Sequence, residues 1–182
     1  MGKNKSDLFY SFIVLLVLSI FFFIGHQMAA VKGTFQESQM ILINEKYDHN
    51  QLLKILLNNL SVGLIILIGS AFYTLLSFAT VGFTGLITGV SFGKFSAIYG
   101  VGYATILLLP HGLLEAIWLT TFTLASIDLS KRFLSFLKKD IEYNQIFKRR
   151  TIKIIFLSVF LVLVSAIIEV YISPNLLFYL NN

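Results

Sequence analysis

Long apolar runs separated by short polar segments dominate the chain. Five of these runs can cross a bilayer, because a helix rises about 1.5 Å per residue and about 20 residues span a hydrocarbon core of about 30 Å. The pattern therefore predicts an all-α fold, a polytopic bundle of about five transmembrane helices in one integral membrane domain. The predicted spans are residues 8–31, 59–81, 83–109, 110–129 and 152–172.

The composition supports a lipid environment. Of the 182 residues, 57% are hydrophobic and 13% are charged, whereas a soluble domain carries about 25% charged residues. The sequence has no cysteine, which excludes disulfides, thiolate metal sites and a cysteine nucleophile. It also has no G-x-x-x-x-G-K-[ST] nucleotide-binding loop. The lipid bilayer is therefore the first predicted partner, and we expect no cofactor.

Two of the runs allow more than one interpretation. The first follows Lys3 and Lys5, as a signal peptide would, but it exceeds the 7–15 residues of such a peptide's apolar core, which favours an uncleaved anchor. The third is rich in glycine and contains Lys94. A straight helix from Phe83 would place Lys94 in mid-bilayer, at a cost of a few kcal/mol. We predict either that straight helix or a broken one, a half-helix followed by a short crossing.

The distribution of basic residues predicts the topology. Eight of the 14 lysine and arginine residues lie between Lys131 and Lys153. The positive-inside rule places this segment in the cytoplasm, and five crossings place the N-terminus on the same side. Residues 130–151 then form a basic cytoplasmic loop, while the loop of residues 32–58 and the C-terminus face outward. The net charge of +5 is thus a topology signal, and we expect no nucleic-acid partner.

Polar residues interrupt the apolar runs near their predicted outer ends. His111 and Glu115 are four residues apart, hence on one helix face. Glu115 lies about one and a half turns below the outer surface, and Glu169 lies at the same depth near the end of the fifth span. Asn59 opens the second span and His26 lies near the outer end of the first. We therefore predict that these five residues form a polar cluster within the membrane.

Three interpretations of this cluster stay open. In the first, the cluster has only a structural role and fixes the register of the helices. In the second, it carries protons or a substrate, and in the third it binds a metal ion. The metal candidates are His111, Glu115 and Glu169, a ligand set that suits Zn²⁺. However, H-x-x-x-E is not the H-E-x-x-H motif of zinc proteases, and the spacing alone is weak evidence. We assign no catalytic residue.

A second motif lies in the third run. Gly85, Gly89 and Gly93 recur at every fourth position, so they share one helix face. Such small residues let two helix backbones approach closely in a membrane. The motif predicts either helix packing within the chain or the interface of a homo-oligomer.

Three stretches resemble the Stage II sporulation protein M (SpoIIM) family. They are LLPHGLLE at residues 108–115, AIIEVYISP at 166–174 and NNLSVGLIILIGS at 58–70. The resemblance covers about residues 53–174, although TGLITGVSFG here replaces a stretch that often contains N-G in the family. It implies a five-span protein of the bacterial cell membrane, with its N-terminus in the cytoplasm.

The resemblance also implies a function. Members look like non-enzymatic scaffolds that recruit peptidoglycan-remodelling proteins, or like accessory subunits of other membrane complexes. The first alternative is a component of a peptide or bacteriocin export, maturation or immunity system that works with an ABC transporter ATPase. The second is an intramembrane metal-dependent enzyme, although the resemblance brings no established catalytic residues. We expect a non-enzymatic role, with partners docking on residues 32–58 or on the basic segment.

Overall fold

A computed structural model describes residues 2–31 and 49–172, and within them the prediction of an all-α fold with five membrane-spanning helices is confirmed. The five helices, in chain order, are α1 (Gly2–Val31), α2 (His49–Ile68), α3 (Leu75–Tyr99), α4 (Val101–Leu137) and α5 (Arg149–Ile167). Short 3₁₀ turns follow α2 (Gly69–Phe72) and precede α5 (Tyr143–Gln145), and a π-helical turn (Ile168–Ile172) extends α5.

The helices are arranged up and down, and polar contacts define the two ends of the bundle. Asp128 in α4 accepts a hydrogen bond from Thr151 in α5, and Asp7 in α1 pairs with Arg150. We call this the Asp128 end. The opposite end contains the turn between α3 and α4 and is called the Gly100 end. The prediction that residues 32–58 form an outer loop falls partly outside the described residues, and residues 49–58 belong to α2.

The boundary between the second and third spans differs from the predicted one. The chain turns at Tyr73 and Thr74, which have positive φ angles of 52° and 65°, so α3 begins at Leu75 rather than at residue 83. The amide of Thr74 donates to the Gly69 carbonyl at 2.9 Å, and the Ser77 hydroxyl donates to the Ile66 carbonyl at 2.7 Å. These contacts stabilise the turn at Tyr73 and Thr74. The hydropathy pattern does not predict this turn.

The third span is one continuous helix, and the predicted half-helix is wrong. The break falls at Gly100, whose φ of 89° and ψ of 156° favour glycine, so residues 101–109 belong to α4. Because α3 begins at Leu75, Lys94 lies about 28 Å along it, close to the Gly100 end. Lys94 therefore avoids the free-energy cost of a charged side chain in the middle of the bilayer.

Pro110 does not start the fourth helix, as the sequence suggested; it lies inside α4. A proline inside a helix removes one backbone hydrogen bond, a loss that neighbouring helices make tolerable within a membrane bundle. The other end of α4 also differs, because the helix continues past residue 129 to Leu137. At about 55 Å, α4 is much longer than the hydrocarbon core is thick. The predicted loop of residues 130–151 is therefore shorter, and α5 begins at Arg149.

The core and the glycine face hold the helices together. Trp118 and Phe122 pack edge to face with ring centroids 6.1 Å apart, and both are buried. Gly85, Gly89 and Gly93 are buried against α1, which runs parallel to α3. A Cβ atom at Gly89 would collide with the Phe22 carbonyl oxygen. At Gly25 on α1, it would collide with the Leu86 carbonyl oxygen. In this structure, the glycine face therefore serves packing within the chain.

Candidate functional site

Two glutamates from different elements, Glu115 and Glu169, lie close enough to interact electrostatically inside the bundle. Helices α4 and α5 are antiparallel, with Asp128 opposite Thr151 and Thr121 opposite Ser158. Counting from the Asp128–Thr151 contact, Glu115 is about 20 Å and Glu169 about 27 Å towards the Gly100 end. Each Cα–Cβ bond tilts towards the N-terminus of its own helix. The two side chains therefore extend towards each other, which shortens the distance between their carboxyl groups.

The Glu115 carboxyl group contacts two other helices. It interacts electrostatically with Glu169 and lies within hydrogen-bonding reach of the Thr88 hydroxyl on α3. Thr88 also lies 3.0 Å from the carbonyl oxygen of Thr84. A hydroxyl has one proton to donate, so Thr88 serves either the carboxyl or its own helix at any moment. Glu115 thus links α3, α4 and the end of α5 at one point.

Glu169 lies in the π-helical turn of residues Ile168–Ile172. A π turn places an extra residue in the helix, which rotates the following side chains relative to a regular α-helix. Such turns are rare and frequently occur at functional sites. Val170, the next residue, is buried, so the turn packs into the bundle.

The two histidines of the predicted cluster are half-buried and lie in separate places. The Nδ1 atoms of His111 and His26 have no hydrogen-bond partner among the described residues. His111 is one helical turn from Glu115 towards the Gly100 end. His26 packs on the Phe92 ring, with centroids 5.6 Å apart, and lies against Gly93 at the α1–α3 contact. The Nδ1 atoms therefore connect to neither carboxyl group.

Asn59, the fifth predicted residue, lies on α2. Its amide oxygen accepts a hydrogen bond of 3.5 Å from the side chain of Asn58, and in the described part of the chain no hydrogen bond joins it to Glu115 or Glu169. The structure thus brings together Glu115 and Glu169, and adds Thr88. It does not join His111, His26 or Asn59 to them by a hydrogen bond.

The described residues provide no three-ligand metal site. Across residues 2–31 and 49–172, no three histidine, aspartate or glutamate side chains are grouped so that they could hold a metal ion. A catalytic zinc ion takes three protein ligands and a structural one takes four. The candidates His111, Glu115 and Glu169 do not form such a set among the described residues.

A second polar network, at the Asp128 end, was missed by the sequence analysis. Asp128 accepts a hydrogen bond from the Arg132 Nε at 3.1 Å and another from Thr151. A further nitrogen of Arg132 donates to the Gln145 carbonyl at 3.2 Å. The four-residue spacing of Asp128 and Arg132 is the signal that could have indicated this pair, whereas nothing in the sequence indicated the link to Thr151.

Buried hydroxyl groups form two more contacts between helices. Ser77 and Ser126 lie 2.8 Å apart, joining α3 to α4, and the Ser158 hydroxyl donates to Thr121 at 2.7 Å, joining α5 to α4. In a membrane interior, such contacts are worth about 0.6–2 kcal/mol each. They place α4 in direct polar contact with both neighbours.

The fold and these interior polar contacts define a class, the multi-pass helical membrane proteins. Within that class, the sequence profile of the Stage II sporulation protein M family matches residues 8–174, nearly the whole chain. The chain belongs to this family, and the resemblance stated above is confirmed.

One relative is similar to the chain over most of its length. An uncharacterised protein of Methanocaldococcus jannaschii is 31% identical over 129 residues, which are 69% of this chain and 72% of the relative. No solved structure matches the chain.

Proposed function

We propose that this chain is a non-enzymatic scaffold or accessory subunit of a membrane complex. The proposal rests on one observation: polar side chains within the membrane helices interact with other helices inside the bundle. Glu115 lies within hydrogen-bonding reach of Thr88 on α3 and within electrostatic range of Glu169 beyond α5, so a polar contact from α4 reaches α3 inside the bundle. A bundle whose helices are joined by such contacts keeps the same outer surface. A scaffold needs a constant surface to bind its partners.

The outer surface of the bundle is suited to partners within the membrane. Large apolar side chains are exposed along all five helices, as on Phe12 of α1, Leu64 of α2 and Phe83 of α3. In a bilayer, this surface meets either lipid tails or the helices of another membrane protein. Membership of the SpoIIM family supports the scaffold role, and its recruited partners would include peptidoglycan-remodelling proteins.

Affinity purification of the full-length protein from its native membrane tests the proposal. We expect the wild type to recover a defined set of membrane partners. Glu115→Gln keeps an acceptor for Thr88 and is expected to recover the same set, whereas Glu115→Ala is expected to lose the partners together with the folded bundle. Leu113→Ala is the matched control, because Leu113 lies on the same helix but is exposed.

Two outcomes would contradict the proposal. A wild-type protein that recovers no partner above background would remove the scaffold role itself. A Glu115→Ala protein that is fully folded and still binds every partner would separate partner binding from the carboxyl contacts, and these contacts would then have another purpose.

A second function is supported by a cleft at the Asp128 end. The cleft has a volume of about 660 Å³ and lies where the chain passes from α4 to α5. On the predicted topology this end faces the cytoplasm, where the ATPase of a peptide-export or immunity system would bind. The cleft is lined by Phe136, Leu137, Lys139, Asp140, Ile141, Glu142 and Gln145. Co-purification of an ABC ATPase with the wild type would support this function if the Ile141→Arg variant no longer recovers the ATPase. Normal peptide secretion without the protein would argue against it.

A further inference from the structure

One face of α5 changes from cationic to apolar along the helix. Arg149, Lys153, Phe156 and Phe160 follow one another at intervals of three or four residues, and Ile152 lies beside Lys153, so the five form a single stripe. All five are exposed, Phe156 by 71% and Phe160 by 59%. The first turn of the stripe is therefore charged, and the following turns are aromatic.

The two cations of this stripe differ from three other basic residues nearby. Arg132 pairs with Asp128, Arg150 pairs with Asp7, and Lys131 lies 4.4 Å from the centre of the Tyr10 ring. Within residues 2–31 and 49–172, Arg149 and Lys153 take part in neither of these ion pairs. Both side chains are exposed, so their charges lie on the outer surface at the first turn of α5.

We propose that this stripe binds an anionic phospholipid, with the phosphate group between Arg149 and Lys153 and an acyl chain along Phe156 and Phe160. The dimensions agree with this occupant. Phe160 lies about 16 Å along the helix from Arg149, which is about the depth of one leaflet of a hydrocarbon core of about 30 Å. Basic residues next to a membrane helix attract anionic lipids, and the aromatic rings supply the apolar contact.

The chain offers a matched control for the charge of this stripe. Lys138 and Lys139 are also exposed, but Asp140 follows them and Glu142 lies two residues further on, so the local charge cancels. Removing Lys138 and Lys139 changes the net charge of the protein as much as removing Arg149 and Lys153. A specific lipid site responds to the second change and not to the first.

The test is native mass spectrometry of the full-length protein, titrated with phosphatidylglycerol or with phosphatidylcholine of the same acyl chains. The wild type is expected to prefer phosphatidylglycerol. Each removed cation should weaken that preference about fivefold, and Arg149→Gln with Lys153→Gln about 30-fold. Lys138→Gln with Lys139→Gln should retain the preference, as should the charge-retaining pair Arg149→Lys and Lys153→Arg.

Two further measurements distinguish binding of the whole phospholipid from binding of its phosphate group alone. Phe156→Ala with Phe160→Ala should weaken binding of both lipids and leave the headgroup preference unchanged. Inorganic phosphate should not displace phosphatidylglycerol, because it cannot occupy the aromatic part of the stripe. The proposal is overturned if the wild type binds both lipids equally, if the Lys138 and Lys139 control loses the preference equally, or if inorganic phosphate displaces the lipid.

Discussion

The carboxyl groups of Glu115 and Glu169 interact electrostatically inside the bundle, although the residues are 54 positions apart in the sequence. One belongs to α4 and the other to the π-helical turn beyond α5. Polar side chains at this depth are expensive unless they find partners, since lipid offers them no hydrogen bonds. Their meeting therefore constrains how α4 and α5 pack.

A double-mutant cycle measures how strongly the two glutamates are coupled. We expect Glu115→Gln, Glu169→Gln and the double variant to be non-additive, with a coupling of about 0.5–3 kcal/mol in the free energy of unfolding. Thermal unfolding in detergent gives the three values. A parallel cycle of Leu113→Ala with Glu169→Gln is the control, and equal coupling in both cycles would contradict the contact.

The close approach of α1 and α3 predicts the response of Gly89 to substitution. Gly89→Ala should destabilise the protein by about 1–3 kcal/mol, because the new Cβ atom collides with the Phe22 carbonyl oxygen. Gly102→Ala is the matched control, since nothing lies within 4 Å of its Cβ position. That variant should be neutral or more stable by about 0.5–1 kcal/mol. A Gly89→Ala protein as stable as the Gly102→Ala protein would be inconsistent with the parallel contact.

The network at the Asp128 end predicts a local stability effect. Asp128→Ala should lower the free energy of unfolding by about 1–3 kcal/mol, because it leaves the Arg132 guanidinium and the Thr151 hydroxyl without this acceptor. Asp140→Ala removes an exposed carboxylate from the neighbouring connection and should have little effect. Chemical denaturation of both variants compares them, and an equal loss would show that overall charge, not this network, is responsible.

The predicted topology is tested by labelling, which the absence of native cysteine makes clean. A cysteine at Ser38 is expected to react with an impermeant maleimide in intact cells, because the positive-inside rule places residues 32–58 outside. A cysteine at Tyr143, which is exposed, should react only after permeabilisation. The reverse pattern would invert the topology and move the Asp128 end to the outer surface.

The sequence predicts the helices better than their ends. Five apolar runs suffice to predict five helices, since length and hydropathy decide whether a segment crosses a membrane. The turn at Tyr73 and Thr74 was missed because non-glycine residues with positive φ carry no strong sequence signal. Pro110 was given more weight than Gly100 because proline usually marks a helix start, yet the bundle tolerates it inside α4.

The sequence predicts only part of the candidate site, because the contacts of each side chain depend on how distant segments pack. Counting turns from the predicted helix ends places Glu115 and Glu169 at one depth, but α4 begins at Val101 rather than at Pro110, and the two residues lie about 7 Å apart along the bundle. Which face each helix turns towards its neighbours depends on packing between distant segments, and that decides the roles of Thr88, His26 and Asn59. Thr88 was missed because a threonine in an apolar helix usually bonds to its own backbone, as it also does here at 3.0 Å.

Cysteine cross-linking in native membranes tests the contact between Glu115 and Glu169 most directly. Glu115→Cys with Glu169→Cys, in the cysteine-free background, should be joined by a short thiol cross-linker in high yield. Leu113→Cys with Glu169→Cys should not, because Leu113 is exposed on another face of α4. A yield for the glutamate pair no higher than for this control would contradict the account.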